Sequence, residues 1–275
     1  HCPVTIVTHC EDNETIKLNL EKIKSENKEL DASFHPVIRN DDCCYKSSSK
    51  VINLAKKYSS DLHVLHLTTE KEIELFENID LRNKKITCEV CVHHLWFDES
   101  DYVTQGNFIV CNPAIKKLSD KNALREALKN GYIDYVATDH APHSFEDKKL
   151  PYGKAPAGIP LIEHSFHMMI ELHKQGLYSL NEVISYMSHK VADRFVIKDR
   201  GYIREGYKAD LMIFDLNKST FVSNDTEKTK CGWTPFNGHT FNSFIYGTII
   251  NGKEIIVDGK LVSKNSSAEK IIFNR

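Results

Sequence analysis

Three residues able to bind a metal stand where apolar, β-branched runs end. His9 follows Thr5-Ile6-Val7-Thr8, His66 closes Leu62-His63-Val64-Leu65, and Asp139 closes Ile133-Asp134-Tyr135-Val136-Ala137-Thr138. In an α/β barrel the C-terminal ends of the strands open on one face, so ligands far apart in sequence converge there. Neutral imidazoles and a carboxylate suit Zn²⁺ or a similar divalent ion, which lowers the pKa of bound water toward neutrality. The chemistry implied is metal-assisted attack of hydroxide on a carbonyl. A lone strand-end histidine is more commonly a hydrogen-bonded structural residue, and this chain has 14 histidines, so the weight lies on the recurrence at three strand ends. The densest stretch, Ala137-Thr138-Asp139-His140-Ala141-Pro142-His143, puts one carboxylate and two imidazoles in five residues after an apolar run. A carboxylate there is costly to desolvate unless it meets a cation. The plainer reading is a polar strand-to-helix loop with Asp139 as a cap.

Positioning such residues takes strands alternating with helices, and the pattern supplies both. Strands are expected over residues 5–8, 62–66, 85–92 and 133–138. Between them, Ile16, Leu18, Leu20 and Ile23 make a helical stripe in 14–23, and Val51, Leu54 and Ala55 share a face of a helix over 42–58. Thr69 is the expected N-cap of a helix reaching Phe76, and residues 120–128 read as another helix. This alternation argues for βαβ units and a parallel sheet. Helices continue to Phe195, with Pro160 near the first, Gly176 as a stop and Ser179 as an N-cap. From about Gly201 the texture turns β-rich, and Asn251-Gly252 between two β runs marks a type I′ hairpin. The expected organisation is part of a barrel over residues 1–200 and a small β-sandwich-like segment over 201–275.

The chain has 275 residues, too many for a small stapled scaffold, and 36 Lys and Arg against 38 Asp and Glu give a net charge of -2. That balance offers no basic excess for nucleic acid or a membrane surface. The apolar runs fall far short of the roughly 20 residues a bilayer span needs. The opening His1-Cys2-Pro3 lacks the charged region of a signal peptide, and eight irregularly spaced cysteines read as reduced thiols rather than a disulfide framework. A cytoplasmic protein acting on a small molecule is the expectation.

The segments Thr138-Asp139-His140-Ala141-Pro142-His143 and Ala157-Gly158-Ile159-Pro160 are joined by His9-Cys10-Glu11-Asp12, His63-Val64-Leu65-His66-Leu67-Thr68-Thr69, Asn112-Pro113-Ala114 and Gly206-Tyr207-Lys208-Ala209-Asp210-Leu211. Together they resemble the dihydroorotases of the amidohydrolase superfamily, in the family's order and through nearly the whole chain. The stretches Cys91-Val92-His93-His94-Leu95-Trp96-Phe97 and Lys230-Cys231-Gly232-Trp233 are most similar to the dihydroorotases of Bacteroidetes-type bacteria. The resemblance implies an α/β fold, the (β/α)8 TIM-type barrel of the superfamily with its C-terminal half present, and a small C-terminal β-rich domain. It implies one or two Zn²⁺ ions, with His9 and His66 binding one metal and Asp139 binding the other while shuttling a proton as general acid and base. His143 would contact the substrate carboxylate, Asn112 the pyrimidine ring, and the Ala157-Gly158 backbone would grip that ring. The reaction would be the reversible closure of N-carbamoyl-L-aspartate to (S)-dihydroorotate in pyrimidine synthesis, carried out by a homodimer. The chain departs from the family in having no His-x-His anywhere and no bridging carboxylated Lys or Asp that can be placed. Its first strand corresponds to the family's fifth, so an N-terminal portion is expected to be missing from this sequence, and a half-barrel would expose two sheet edges. Other cyclic amidases, allantoinase or dihydropyrimidinase, are the alternative within enzymes. A non-catalytic dihydroorotase-like scaffold for aspartate transcarbamoylase is the alternative outside them.

The remaining motifs read as structure. Cys88 and Cys91 lie three apart in a strand, on opposite faces, with no second pair to complete a zinc site. Cys43-Cys44 read as small apolar packing residues. His93-His94 either line the mouth or sit in the core, Arg39 pairs with a carboxylate of substrate or protein, and residues 46–50 form a solvated helix face without P-loop glycines.

Overall fold

The computed structural model describes residues 4–26, 29–263, 265 and 267–274. The opening residues used above to argue against a signal peptide, His1 to Pro3, lie outside them. Two compact units emerge, one of residues 1–165 with 223–237 and one of residues 166–222 with 238–275. The change of texture near residue 201 is the passage from helices to strands, whereas packing draws its boundaries at 165 and returns the segment 223–237 to the first unit.

The first unit is built on four parallel strands, β1 (Ile6–Thr8), β2 (Leu62–Val64), β3 (Ile86–Cys91) and β4 (Tyr135–Ala137). They are hydrogen-bonded in the order β1-β2-β3-β4. Parallel neighbours need crossovers, which run through the helices Asn13–Glu26, Asp41–Tyr58, Glu70–Ile73 and Leu118–Lys129. Strands that follow one another in sequence and in space are what a barrel sector requires, since a doubly wound sheet reverses its order at a switch point. Ile6 and Val7 on the edge strand β1 are 41% and 46% exposed, the open edge anticipated for part of a barrel.

Local chemistry explains the main helices. Asp41–Tyr58 starts where Asn40 accepts from the Cys43 N–H at 3.2 Å, carries Asp41 and Asp42 in its first turn and Lys56 and Lys57 in its last, and stops at Ser59 in the left-handed region. Charges so placed favour the helix dipole. The buried face is Cys43, Cys44, Ser48, Ile52 and Ala55, and Leu54, expected on it, is exposed instead. Thr69 caps as expected, accepting from the Glu72 N–H at 3.2 Å, but the helix ends at Ile73 rather than Phe76. The strands are also shorter than the apolar runs. β2 stops at Val64 because the chain swings into the left-handed region at His66 (φ 38°), and β4 stops before Asp139 (φ 44°) for the same reason.

Under the sheet, Lys84 and Asp134 form a buried ion pair at 2.7 Å, and the second Asp134 oxygen accepts from the Cys88 N–H at 2.9 Å. That pairing joins the start of β3 to the approach to β4. No helix among the described residues is long and apolar enough to cross a membrane.

In the second unit, Gly176 sits at φ 79° and Ser179 caps Leu180–Ile184 with a full capping box. Four antiparallel strands follow, β5 (Leu211–Asp215), β6 (Phe244–Ile250), β7 (Lys253–Val257) and β8 (Lys260–Leu261), in the order β8-β7-β6-β5. Asn251 and Gly252 join β6 to β7 with φ of 48° and 78°, the hairpin turn expected from their types.

Candidate active site

Parallel pairing places the three strand-end residues at one end of the sheet. Thr8 pairs with Val64 and Cys91 with Ala137, so His9, His66 and Asp139 all lie just beyond C-terminal strand ends. His9 Nδ1 and His66 Nε2 meet at 3.0 Å. His66 is buried, and burial together with the nearby His9 lowers its pKa to about 4, so the ring is neutral near pH 7 and its lone pair is available. His66 Nδ1 is buried without a hydrogen-bond partner. Asp139 remains open to solvent on one side, yet partial burial and the Glu89 charge raise its pKa while His9 opposes that shift. The structure thus brings two of the expected ligands into contact and holds the third within their electrostatic reach. The three do not form a set of ligand atoms within 4.8 Å of one another.

A second tier surrounds the pair. Glu11 receives His9 Nε2 at 3.0 Å and pairs with Arg39, so the partner of Arg39 is a protein carboxylate. Burial works against the Glu11 charge, but His9, Arg39 and Lys116 outweigh it and hold its pKa below the usual carboxylate value. Behind β2, His63 stacks on Tyr135 and meets Thr87 at 2.9 Å and Glu89 at 3.2 Å.

Of the four positions expected to touch substrate, His143, Ala157 and Gly158 meet directly, and Asn112 follows two residues after Val110, which Gly158 contacts. His143 Nε2 donates to the Ala157 carbonyl at 2.9 Å, and the Gly158 N–H donates to the Val110 carbonyl at 2.8 Å, two residues before Asn112. Asn112 Oδ1 accepts from His35 Nε2 at 3.2 Å, which also faces the Cys111 carbonyl at 2.9 Å, while His35 Nδ1 meets the Tyr152 hydroxyl at 2.8 Å. Two acceptors at Nε2 assign the proton there. Burial lowers the His35 pKa to about 4, keeping this ring neutral. Gly158 has φ +144°, and a Cβ on it would lie 2.6 Å from the Ala141 Cβ and 2.8 Å from His143 Cδ2. Lys148, fully buried, donates to the carbonyls of Pro156 (2.9 Å), Gly158 (3.0 Å) and Val110 (3.3 Å), fixing the loop from inside. Trp233, from the segment 223–237, donates from Nε1 to the His143 carbonyl at 2.7 Å. His140 is structural: its Nδ1 accepts from the N–H groups of Leu161 and Ile162.

Glu11, Glu89, His35 and Lys148 carry no signal in spacing alone. Only Glu89 left a trace, a charge inside the otherwise uncharged run Ile86-Thr87-Cys88-Glu89-Val90-Cys91, where burial requires a partner.

Sequential parallel strands with crossover helices and a polar cluster at their C-terminal ends are the arrangement of an α/β-barrel sector. The amidohydrolase family model matches residues 3–255. The chain belongs to the amidohydrolase family. Among curated relatives it is similar to a dihydroorotase of Methanothermobacter thermautotrophicus, 28% identical over 96% of this chain and 59% of that protein. A dihydroorotase of Ligilactobacillus salivarius is 31% identical over 92% of this chain and 58% of its own length. The chain therefore spans less than two thirds of these relatives. Among solved structures, a D-hydantoinase (dihydropyrimidinase) from Thermus sp. superposes with a TM-score of 0.85 at 23% identity, over 95% of this chain and 58% of that one. A dihydropyrimidinase from Brevibacillus agri gives a TM-score of 0.86 at 22% identity, over 94% and 58%. These structures show the fold, the TIM-type barrel of the amidohydrolases.

Proposed function

We propose that a protein built on this chain is a dihydroorotase, interconverting N-carbamoyl-L-aspartate and (S)-dihydroorotate in pyrimidine synthesis. The observation that carries the reading is the meeting of His9 and His66 at 3.0 Å beyond two adjacent parallel strands, with His66 held in a left-handed backbone. Non-glycine residues in that region cost free energy and persist where the surroundings over-determine them, commonly at functional sites. Two imidazoles fit a divalent ion of the Zn²⁺ type; His9 and His66 would hold one such ion and Asp139 a second. When bound, such an ion polarises an amide carbonyl and makes hydroxide accessible near neutral pH.

The chain's own groups account for the rest. Asp139, its pKa raised by burial and by Glu89, accepts a proton and returns it to the ring nitrogen. Glu11 orients His9, and the Asn112, His143 and Ala157-Gly158 cluster offers amides and an imidazole to a substrate bearing a carboxylate. Residues 1–200 supply barrel elements and 201–275 the small β-rich domain in this reading. The seven described cysteines are free thiols, which supports a reducing, cytoplasmic setting. A homodimer, and association with aspartate transcarbamoylase, belong to the same proposal.

The hydantoinase-type neighbours favour one second reading, a cyclic amidase acting on another ring. Turnover of dihydroorotate, allantoin and dihydrouracil by the purified protein at its natural length separates the two. Dihydroorotate is expected to be opened preferentially; its being the one ring left intact would overturn the substrate assignment.

A further inference from the structure

Cys91 ends β3, and His93 and His94 follow in the turn of helix Val92–Trp96. All three are at least 97% buried, and one ligand atom from each falls within 4.8 Å of the others. The two imidazole centroids are 4.0 Å apart. His94 Nε2 donates to the Pro113 carbonyl at 3.1 Å, which places its lone pair on Nδ1, and that Nδ1 is buried without a partner. Neither ring nitrogen of His93 has a partner, and the Cys91 thiol makes no hydrogen bond among the described residues. Buried polar atoms are nearly always satisfied, so several unmet lone pairs gathered in one buried cluster call for an acceptor of electron pairs.

We propose that Cys91, His93 and His94 form a divalent metal site of thiolate and imidazole donors, separate from the strand-end pair His9 and His66. A ligating histidine characteristically gives its other N–H to a backbone carbonyl, as His94 does to Pro113. One thiolate and two imidazoles select a Zn²⁺-type ion over Mg²⁺ or Ca²⁺. A second set of ligand-type residues, Glu11 with Cys43 and Cys44, behaves differently. Glu11 is taken by His9 and Arg39, and the Cys43 thiol donates to the Asn40 carbonyl at 2.9 Å, so its atoms already have partners. The two centres adjoin, since His66 influences the charge of His93, but they share no ligand. The proposal does not rest on the dihydroorotase reading.

The test uses Co²⁺ as the probe. A thiolate ligand produces a sulfur-to-cobalt charge-transfer band that His9, His66 and Asp139 have no sulfur to give. The protein at its natural length, stripped and reloaded with Co²⁺, is expected to show this band, to lose it in Cys91→Ser, and to keep it in Cys43→Ser. Absence of the band in the unaltered protein, or its survival in Cys91→Ser, overturns the proposal. X-ray absorption of the unaltered zinc-loaded protein covers the case in which Cys91→Ser does not fold. Sulfur in the first shell agrees with the site, and nitrogen and oxygen alone contradict it.

Discussion

At Gly158 a single hydrogen atom in place of a side chain lets the backbone pack against Ala141 and His143. A methyl group there would meet the Ala141 Cβ at 2.6 Å and the Ala141 carbonyl at 2.8 Å, at a φ that L-residues rarely adopt. Gly158→Ala is therefore expected to cost about 1–3 kcal/mol of stability and to raise KM for the ring substrate, as urea unfolding and steady-state kinetics will show. A variant with unchanged midpoint and KM would mean that the loop relaxes freely. Other residues of the site were legible in the sequence to different degrees. His9, His66 and Asp139 stood out because a polar, ligating residue at a strand end is conspicuous. Glu11 and His35 were not, because Arg39, the partner of Glu11, lies 28 positions away and Tyr152, a partner of His35, lies 117 away. No local pattern encodes a pairing of that range.

Elements followed the sequence where their signals were local. The Thr69 and Ser179 caps, the Asn251-Gly252 turn and the strand-helix alternation are governed by a few adjacent residues. Strand lengths were overestimated because an apolar run continues through residues whose backbone has already turned, as at Leu65-His66 and Thr138-Asp139. What ties the strands below the site is the Lys84–Asp134 pair, whose side chains are only 2% and 3% exposed. Removing one member leaves the other charge buried and unpaired, so Lys84→Met is expected to destabilise by about 3–5 kcal/mol. The double variant with Asp134→Leu should recover part of that loss. A single variant as stable as the parent in chemical denaturation would show that the pair is replaceable from one side.

At the scale of the molecule, the segment 223–237 packs with residues 1–165 although 57 residues separate it from them. Part of its attachment is electrostatic: His164 Nε2 meets Glu227 at 2.9 Å, and Lys228 pairs with Glu163. Burial opposes the Glu227 charge, yet His164, Glu163 and Thr229 lower its pKa to about 2. Because the folded value lies below the ordinary 4.5, the stabilisation is present in full above that pH and is lost as pH falls toward about 2. Glu227→Gln should flatten the acid limb of the stability-pH curve between those limits, and an unaltered limb would place the acid sensitivity elsewhere. This return of a late segment was not readable in the sequence, where the texture break at residue 201 was the only boundary signal.

The strand-end imidazoles are proposed as the working centre, and the rate of dihydroorotate ring opening in the unaltered protein and in His66→Ala is the decisive measurement. A fall of about 100-fold or more with unchanged circular dichroism is the expected result. A His66→Ala protein that opens the ring at close to the parent rate would contradict it.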